Sequence, residues 1–239
     1  MSLRLALLED EQDEAAVLRQ WLQDAGHDTH VYVRARDFMR EVGRESFDLF
    51  LLDWVLPDMG GDQVLRWLRE QRGSDAPVIF VTNRDAEEDI VAALQAGADD
   101  YMVKPVRRLE LLSRIAAVWR RARPANDATE MLEVGPYRFD FLSHKVHVAG
   151  APVQLTEKEF ELAAFLFCNV GRLISRGHLL EAVWGKSAEV ATRTIDTHVS
   201  RVRSKLALRA ENGYRLTPIY NFGYRLEPLA PSGASESGH

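Results

Sequence analysis

Residues 1–121 alternate continuous apolar runs with amphipathic stretches, and this alternation constrains the fold more than any other feature of the sequence. Five apolar runs indicate strands, at 3–8, 30–33, 47–52, 78–81 and 101–103. The stretches between and after them repeat apolar residues at helical spacing, and one such amphipathic face contains Ile90, Val91 and Leu94. Continuous apolar strands alternating with helices are typical of a parallel sheet that helices cover on both faces. We therefore predict a doubly wound α/β domain with a five-stranded parallel sheet.

A second domain of different character follows. Residues 122–131 lose the apolar periodicity and contain a proline, which predicts a linker. Beyond the linker we predict two short antiparallel strands, a helix that opens with a capping box, two further helices and a strand pair, at 137–141, 145–148, 156–167, 176–184, 191–207 and 213–226. This pattern indicates an α+β domain over 132–227. The Ser-, Gly- and Pro-rich tail at 228–239 is predicted to be disordered.

The composition favours a globular protein without a membrane partner. Hydrophobic residues make up 46% of the chain, and no apolar run is long enough to span a membrane or to form a signal peptide, so we expect a cytoplasmic protein. The single cysteine, Cys168, lies in an apolar helical run and is predicted to be a buried thiol. Residues 1–121 carry 16 Lys and Arg against 23 Asp and Glu, whereas residues 132–227 carry 13 against 10. A basic second half favours an anionic partner, although a solvated surface explains so small an excess equally well.

Chemically reactive side chains follow four of the five predicted strands. They are Glu9 and Asp10, Asp53, Thr82 and Lys104. Because the carboxyl ends of parallel strands meet at one edge of a sheet, we expect these groups to converge. Taken singly, each has a structural explanation: the acidic pair suits a helix N-terminus, Asp53 suits a turn, and Lys104 suits solvent. Those explanations do not account for their collection at one edge.

The converging residue types favour phosphoryl transfer. Three close carboxylates repel one another, and a hard divalent cation such as Mg²⁺ removes that conflict. Asp53 can then attack phosphorus and form an acyl phosphate. Mg²⁺ and the Lys104 ammonium would neutralise the transferred charge, and the Thr82 hydroxyl can donate a hydrogen bond to a phosphoryl oxygen.

The stretch 191–208 predicts a helix with one apolar face and other faces rich in Arg, Ser and Thr. The apolar face consists of Ile195, Val199, Val202 and Leu206. A helix of this kind, preceded by another, suits the major groove of DNA, where arginine reads guanine and lysine and hydroxyl groups hold phosphates. A solvated amphipathic helix fits the same composition, and His198 on its own fits a packing or capping role better than a base contact.

Motifs throughout the chain carry a resemblance to a known family. The segments 7–11, 51–57, 81–82, 97–101 and 104–105 resemble the receiver-domain signatures in order and spacing. The segments 155–160, 171–176, 179–185, 193–206 and 223–226 resemble the winged-helix pattern of the OmpR/PhoB type. The sequence is thus similar to a two-component response regulator of the OmpR/PhoB family, which has a flavodoxin-like receiver followed by a winged helix-turn-helix domain.

The resemblance implies roles for individual residues. Asp53 would accept a phosphoryl group from a histidine kinase, Glu9, Asp10, Asp53 and the Val55 carbonyl would hold Mg²⁺, and Lys104 would contact the phosphate. Thr82 and Tyr101 would form the switch pair. The family implies a cis Lys104–Pro105 peptide, and X-Pro bonds are where such a geometry costs least. The residues matching the DNA-contacting helix and wing are Arg193, Thr194, Asp196, Thr197, His198, Ser200, Arg201, Arg203, Lys205 and Tyr220.

The resemblance also implies partners. A phosphorylated homodimer would bind tandem direct repeats in double-stranded promoter DNA and would act on transcription through RNA polymerase. The dimer would form through helix four, strand five and helix five of the receiver, with cross-pairs of Asp100 with Arg114 and of Asp99 with Arg121. The matching interface residues are Ile90, Val91, Leu94, Asp99, Asp100, Glu110, Arg114 and Arg121.

Four positions depart from the family pattern. Asn83 replaces a small residue, Val106 replaces phenylalanine, Ile90 replaces a basic partner of Glu110, and Tyr220 replaces the arginine of the wing. Tyr220 could contact a phosphate or pack beneath the hairpin beside Phe222, and packing is the preferred interpretation.

Two other functions compete with this one. A haloacid-dehalogenase-type phosphatase uses similar groups, but it expects an aspartate where this chain has Val55, and it places its acidic pair last in the sequence. A regulator that acts without phosphorylation would require a vestigial pocket, and the complete set of pocket residues argues against it.

Overall fold

The computed structural model describes residues 2–72, 74–122, 131–185 and 192–229, apart from the side chains of Thr192, Arg193 and Glu211. The chain divides into two compact units between residues 125 and 126. Most of the predicted linker and all but the first two residues of the predicted tail lie outside the described residues. No helix in the described ranges is long and apolar enough to cross a membrane.

The first unit contains a five-stranded parallel sheet, as the sequence predicts. Its strands are β1 (Arg4–Leu8), β2 (Asp28–Tyr32), β3 (Leu49–Leu52), β4 (Val78–Thr82) and β5 (Asp100–Val103). Its helices are α1 (Gln12–Asp24), α2 (Ala35–Val42), α3 (Gly61–Arg66, continued by a π-helical turn at Trp67–Gln71), α4 (Glu87–Gln95) and α5 (Arg108–Ala122). The strand order is β2-β1-β3-β4-β5, and every pairing is parallel. The order therefore reverses between β1 and β3, and ligands of doubly wound sheets bind at such a point.

The core of this unit lies on both faces of the sheet. Every residue of β1, β3 and β4 is buried, which explains why these segments are continuously apolar rather than alternating. Phe38, Phe50 and Phe80 belong to the cluster on one face, and Leu5, Leu51 and Ile115 to the cluster on the other.

Helix α4 differs from the amphipathic face that its sequence suggests. Val91 and Leu94 are 44% and 46% exposed, as residues of the predicted dimer interface need to be, but Ile90 does not share their face. The helix instead rests on the sheet through Ala93, which is buried, and Ile90, which packs against the core. Ile90 and Ala93 are three positions apart and share a face, which leaves Val91 and Leu94 on the neighbouring one.

The second unit combines a four-stranded antiparallel sheet, three helices and a three-stranded sheet. The first sheet contains β6 (Met131–Val134), β7 (Tyr137–Asp140), β8 (Lys145–Val148) and β9 (Ala151–Val153) in that order. The helices are α6 (Glu157–Phe167), α7 (Arg176–Trp184) and α8 (Thr192–Lys205). The second sheet has the order β10-β12-β11, formed by β10 (Leu173–Ser175), β12 (Gly223–Pro228) and β11 (Tyr214–Ile219). The second domain is one residue longer at each end than the predicted range 132–227, because β6 starts at Met131 and β12 ends at Pro228.

The start of α6 confirms the predicted capping box. The Thr156 hydroxyl accepts a hydrogen bond from the Glu159 backbone N–H, and the Glu159 carboxylate accepts one from the Thr156 N–H at 2.9 Å. The end of the helix corrects one expectation: Cys168 is half-buried rather than buried, because it lies just beyond the last helical residue, Phe167, at the margin of the core.

Glycine is required where β12 begins. A Cβ at Gly223 would overlap the carbonyl of Ile174 and the Cα of Ser175 in the neighbouring strand. Gly223 therefore lets β12 approach β10 closely enough to pair with it, and this pairing fixes the β11–β12 hairpin.

Candidate functional site

The groups predicted to converge in the first unit do lie together. Glu9 follows β1, Asp53 follows β3, Thr82 ends β4, and all three are buried. The backbone holds them firmly: the Asp53 N–H donates to the Leu8 carbonyl and the Glu9 N–H donates to the Tyr32 carbonyl, each at 2.9 Å. These bonds continue the parallel ladder past the ends of the strands. Two carboxylates are therefore fixed side by side at the reversal of the strand order.

Lys104 connects the buried carboxylates. Its Nζ lies 2.7 Å from Oδ2 of Asp53, 2.8 Å from Oε2 of Glu9 and 2.5 Å from Oε2 of Glu14. Burial alone would lower the pKa of Lys104, but the hydrogen bonds to Asp53, Glu14 and Glu9 outweigh it, and the pKa is raised. The ammonium therefore stays charged at neutral pH. The Lys104–Pro105 peptide is cis.

Glu14 is the one member of this group that the sequence did not predict. It lies in the first turn of α1, and its side chain is 45% exposed. An acidic residue in a first helical turn is common for its effect on the helix dipole, so nothing in the sequence distinguished it. The only available signal was its position one helical turn after Asp10.

The acidic cluster fits a hard divalent cation. Single carboxylate oxygens of Glu9, Asp10 and Asp53 lie within 4.8 Å of one another, and Asp10 is only half-buried, so the cluster reaches solvent. Burial raises the pKa of Glu9 to about 7, against the opposing effect of Lys104. A buried carboxylate that ionises reluctantly gains from a cation beside it. The Val55 N–H donates to Oδ1 of Asp53 at 3.1 Å, and the proposed role of the Val55 carbonyl stays a prediction.

The predicted switch pair is in an inward arrangement. Thr82 is fully buried, and Tyr101 is 8% exposed with its ring 6.0 Å from that of Phe80. The Tyr101 hydroxyl donates to the Arg84 carbonyl at 2.9 Å. Tyr101 therefore holds the loop after β4, the loop in which Asn83 is exposed to solvent.

The predicted dimer face carries charges that are already paired within the chain. The Arg114 guanidinium donates to both carboxylate oxygens of Asp100 at 3.1 Å and to Glu110 at 2.9 Å. Oδ2 of Asp99 accepts hydrogen bonds from Arg69 and from the Val78 N–H, at 3.0 and 2.8 Å. Arg121 donates to the Asp99 carbonyl oxygen at 3.4 Å rather than to its carboxylate. The exposed apolar surface beside these charges is formed by Val91 and Leu94.

In the second unit, α8 has the predicted orientation. Ile195, Val199 and Val202 are buried, and Leu206 just after the helix is buried with them. Of the predicted DNA-contacting residues, Asp196, Thr197, Ser200, Arg201 and Lys205 are exposed, and Thr194, His198 and Arg203 are half-buried. The side chain of Arg193 lies outside the described residues. Arg201 forms no hydrogen bond or ion pair with any residue that the structure describes, so its guanidinium is available to a partner.

Asp196 instead holds the second unit together. Its Oδ1 accepts a hydrogen bond from the Tyr224 hydroxyl at 2.6 Å and one from Nε of Arg176 at 3.1 Å. The Arg176 guanidinium also lies over the Tyr224 ring, 5.0 Å from its centroid. The hydrogen bonds from Tyr224 and Arg176 lower the pKa of Asp196. Asp196 thus ties α8 to α7 and to the β11–β12 hairpin.

Two further residues predicted to contact DNA have partners within the chain. Nδ1 of His198 is 2.9 Å from the Thr194 carbonyl oxygen, and its ring meets Trp184 edge-on at 5.1 Å. Nζ of Lys205 lies 2.6 Å from Oε2 of Glu159, a carboxylate that is almost fully buried. The structure therefore gives His198 the packing contacts that its sequence alone suggested.

The tip of the hairpin corrects the interpretation of Tyr220. Its side chain is 90% exposed, so the preferred interpretation that it packs beneath the hairpin is wrong. Asn221 adopts φ +54°, and this left-handed turn residue breaks the alternation that would place Tyr220 on the same face as Phe222. Phe222 is buried, whereas Tyr220 projects into solvent.

Each of the two units matches a known protein family. Residues 5–116 match the family described as the response regulator receiver domain, and residues 150–226 match the family described as transcriptional regulatory protein, C terminal. A chain with these two parts is a response regulator that controls transcription.

Three relatives give the narrower assignment. The chain is 41% identical to the sensory transduction protein RegX3 of Mycolicibacterium smegmatis, over 92% of this chain and 97% of that protein. It is 37% identical to the phosphate regulon transcriptional regulatory protein PhoB of Rhizobium meliloti, over 85% and 89% of the two chains. It is 34% identical to the DNA-binding response regulator MtrA of Mycolicibacterium smegmatis, over 95% and 98%. The protein belongs to the OmpR/PhoB family of response regulators.

Proposed function

We propose that Asp53 accepts a phosphoryl group from the phosphohistidine of a sensor kinase. A carboxylate oxygen of Asp53 attacks phosphorus while the bond from phosphorus to the imidazole nitrogen breaks. The nitrogen keeps the electron pair and takes up a proton from solvent. Lys104 holds the carboxylate from one side, and the Val55 N–H holds its other oxygen from the other side. Thr82, buried at the end of β4, would donate its hydroxyl hydrogen to the new phosphoryl group.

Glu9, Asp10 and Asp53 would hold a Mg²⁺ ion in this pocket, with the Val55 carbonyl as the further ligand. When bound, Mg²⁺ would neutralise negative charge on the transferred group. The protein residues supply the rest: Lys104 adds a positive charge, and the ladder bonds at Glu9 and Asp53 keep both carboxylates in place.

The main support for phosphoryl transfer to Asp53 is the position of Lys104. Lys104, Asp53 and Glu9 come from the ends of three separate strands, and a single nitrogen lies within 2.8 Å of both carboxylates. A structural ion pair needs one partner, whereas a charged lysine shared between buried carboxylates beside a third suits a site that exchanges a cation and a phosphate.

We further propose that phosphorylation promotes receiver dimerisation and that the dimer binds tandem direct repeats in promoter DNA, from which it contacts RNA polymerase. The exposed Val91 and Leu94 beside paired charges support an interface on α4, β5 and α5. The exposed Arg201 and Ser200 on α8 support contact with the major groove.

The test of the whole proposal measures promoter binding with and without activation. The full-length protein is treated with acetyl phosphate and Mg²⁺, and its binding to promoter fragments from its own genome is titrated at fixed salt. We expect tighter binding after treatment, and no change when EDTA removes the metal. Equal binding in both states would instead support a regulator that acts without phosphorylation.

The dimer interface has its own test. Arg114→Glu reverses a charge that contacts Asp100 and Glu110, so it should weaken the phosphorylated dimer. Exposed pairs contribute only about 0–1 kcal/mol each, so the expected effect is a several-fold rise in the dimer dissociation constant, measured by sedimentation. Arg40→Glu is the control, because Arg40 pairs with Asp37 on α2, away from this face. If both variants sediment alike, the dimer uses another surface.

A further inference from the structure

Glu14 contacts Lys104 although neither the strand-end pattern nor the family resemblance assigns it a role. Its Oε2 is 2.5 Å from Nζ of Lys104, as close as the buried carboxylates of Glu9 and Asp53. Those two side chains are 1% and 6% exposed, whereas that of Glu14 is 45% exposed. Lys104 therefore bridges two buried carboxylates and one carboxylate at the mouth of the pocket.

The three carboxylates compete for one ammonium, whose Nζ donates a hydrogen bond to Oδ2 of Asp53. A lysine has three N–H donors, and three carboxylates lie within hydrogen-bonding distance of Nζ. A phosphoryl group on Asp53 would compete with these carboxylates for Lys104. Glu9 is held in the pocket by the Glu11 N–H as well. Glu14 is the solvent-facing partner.

We propose that Glu14 is a positioning residue for Lys104. It draws the ammonium toward α1, so more of the negative charge of Glu9 and Asp53 is available to a divalent cation. The same carboxylate competes with an incoming phosphoryl group for Lys104 and repels the charge of the donor. Glu14 thus strengthens cation binding and slows phosphorylation. The inference rests on the proposed phosphoryl-acceptor function of Asp53.

The position allows a clean substitution. Glu14 borders a cleft of about 260 Å³ that is also lined by Asp13, Val17, Trp21 and Val106, so a glutamine there disturbs no packed core. Asp13 is exposed on the same helix and borders the same cleft, but it forms no ion pair with Lys104 among the described residues. Asp13→Asn is therefore a matched control that removes the same charge without the same contact.

The first measurement is a calorimetric titration of the unphosphorylated protein with Mg²⁺. Without Glu14, the ammonium should move closer to Glu9 and Asp53 and neutralise more of their charge, which should weaken Mg²⁺ binding about three- to tenfold in Glu14→Gln. Asp13→Asn should change it by less than about twofold, because screening by water and salt reduces the effect of a charge without direct contact.

The second measurement is the initial rate of phosphorylation by acetyl phosphate at saturating Mg²⁺. Here an Asp53 oxygen bonds to phosphorus as the P–O bond to acetate breaks, and acetate leaves with the electron pair. Glu14→Gln should raise this rate several-fold. The rise should be smaller with phosphoramidate, which carries less negative charge at neutral pH.

A Lys104→Met background shows whether Glu14 acts through Lys104. Without the ammonium, Glu14→Gln should affect Mg²⁺ affinity no more than Asp13→Asn does. If its effect persists there, or if the two single variants behave alike, Glu14 is only a surface charge and the inference is wrong. If the wild-type protein binds Mg²⁺ but takes no phosphoryl group on Asp53, the proposed function itself fails, which the wild-type measurement reveals independently of every variant.

Discussion

The pocket around Asp53 and the outer face of α8 arrange their functional groups in opposite ways. The pocket gathers side chains from the ends of separate strands, buries most of them and lets them contact one another. The outer face of α8 takes its groups from one helix and exposes them to water. Buried charges in contact depend strongly on one another, whereas separated exposed groups act almost independently. We therefore expect near-complete losses from single changes in the pocket and graded losses from single changes on the helix.

The largest expected effect is that of Asp53→Asn. The amide cannot attack phosphorus, so treatment with a small phosphodonor and Mg²⁺ should add no phosphoryl mass to this variant. The wild-type adduct should be sensitive to hydroxylamine, as an acyl phosphate is. Asp58→Asn provides the control, because the Asp58 carboxylate accepts hydrogen bonds from the Ala35 and Arg36 backbone and belongs to no part of the pocket. If the Asp53→Asn variant still takes up a phosphoryl group at another residue, Asp53 is not the essential acceptor and a single change in the pocket does not cause a complete loss.

Arg201→Ala should give the next largest effect. Its guanidinium has no partner among the described residues, and a bidentate contact of arginine with guanine contributes about 1–3 kcal/mol of discrimination. In titrations at one salt concentration, the variant should show a smaller ratio between its affinity for specific DNA and its affinity for random DNA. Arg209→Ala, also exposed but outside α8, is the comparison. An equal loss of affinity for both kinds of DNA would make Arg201 a phosphate contact.

Tyr220→Arg should have a smaller and sequence-dependent effect. The narrow minor groove of A·T-rich DNA concentrates negative potential, and the exposed tyrosine cannot supply a charge there. The substitution should increase affinity for half-sites flanked by A·T tracts more than for the same half-sites flanked by G·C. Because Tyr220 is 90% exposed, folding should be unaffected. A wild-type protein that already prefers the A·T-flanked duplex strongly would show that another residue reads the groove.

Lys205→Ala should have the smallest effect on DNA binding. A free lysine that contacts one phosphate contributes about 0.9 to the salt slope, but Lys205 is already paired with Glu159. We expect specific and random DNA to be affected alike, and the slope to fall by less than that amount. Thermal unfolding should show a loss of roughly 1–3 kcal/mol, because the almost fully buried Glu159 carboxylate loses its charged partner and keeps only its capping bond to Thr156. A fall of the salt slope by about 0.9 would show that Lys205 leaves Glu159 and contacts a phosphate when DNA binds.

The sequence predicted what depends on periodicity. Buried parallel strands are continuously apolar, so the order of elements and the convergence of Glu9, Asp53 and Lys104 followed from the positions of the strand ends. The apolar face of α8 followed from its helical spacing. The short strands β6, β9 and β10 were missed because three or four residues carry too little pattern to indicate a strand.

The contacts that exposed side chains make with other elements could not be predicted from the sequence, because they produce no periodic pattern in it. Helical spacing shows that Asp196 points outward, but not that Tyr224 and Arg176 reach over to it from other elements. Glu14 looked like any acidic residue in a first helical turn until the structure placed it against Lys104. The orientation of Tyr220 depends on the left-handed turn at Asn221, which the residue type permits but does not require.

Gly223 has a consequence for genetics. Any side chain there would collide with the backbone of β10, and the next residue, Tyr224, is the one that anchors Asp196 on α8. A random mutagenesis screen for loss of promoter control should therefore recover alleles at this glycine codon alongside alleles at Arg201. The two sets should differ in how they are rescued. A compensating change in the operator sequence could restore recognition to an Arg201 allele. No change in the operator could rescue a Gly223 allele, because there the β11–β12 hairpin no longer pairs with β10.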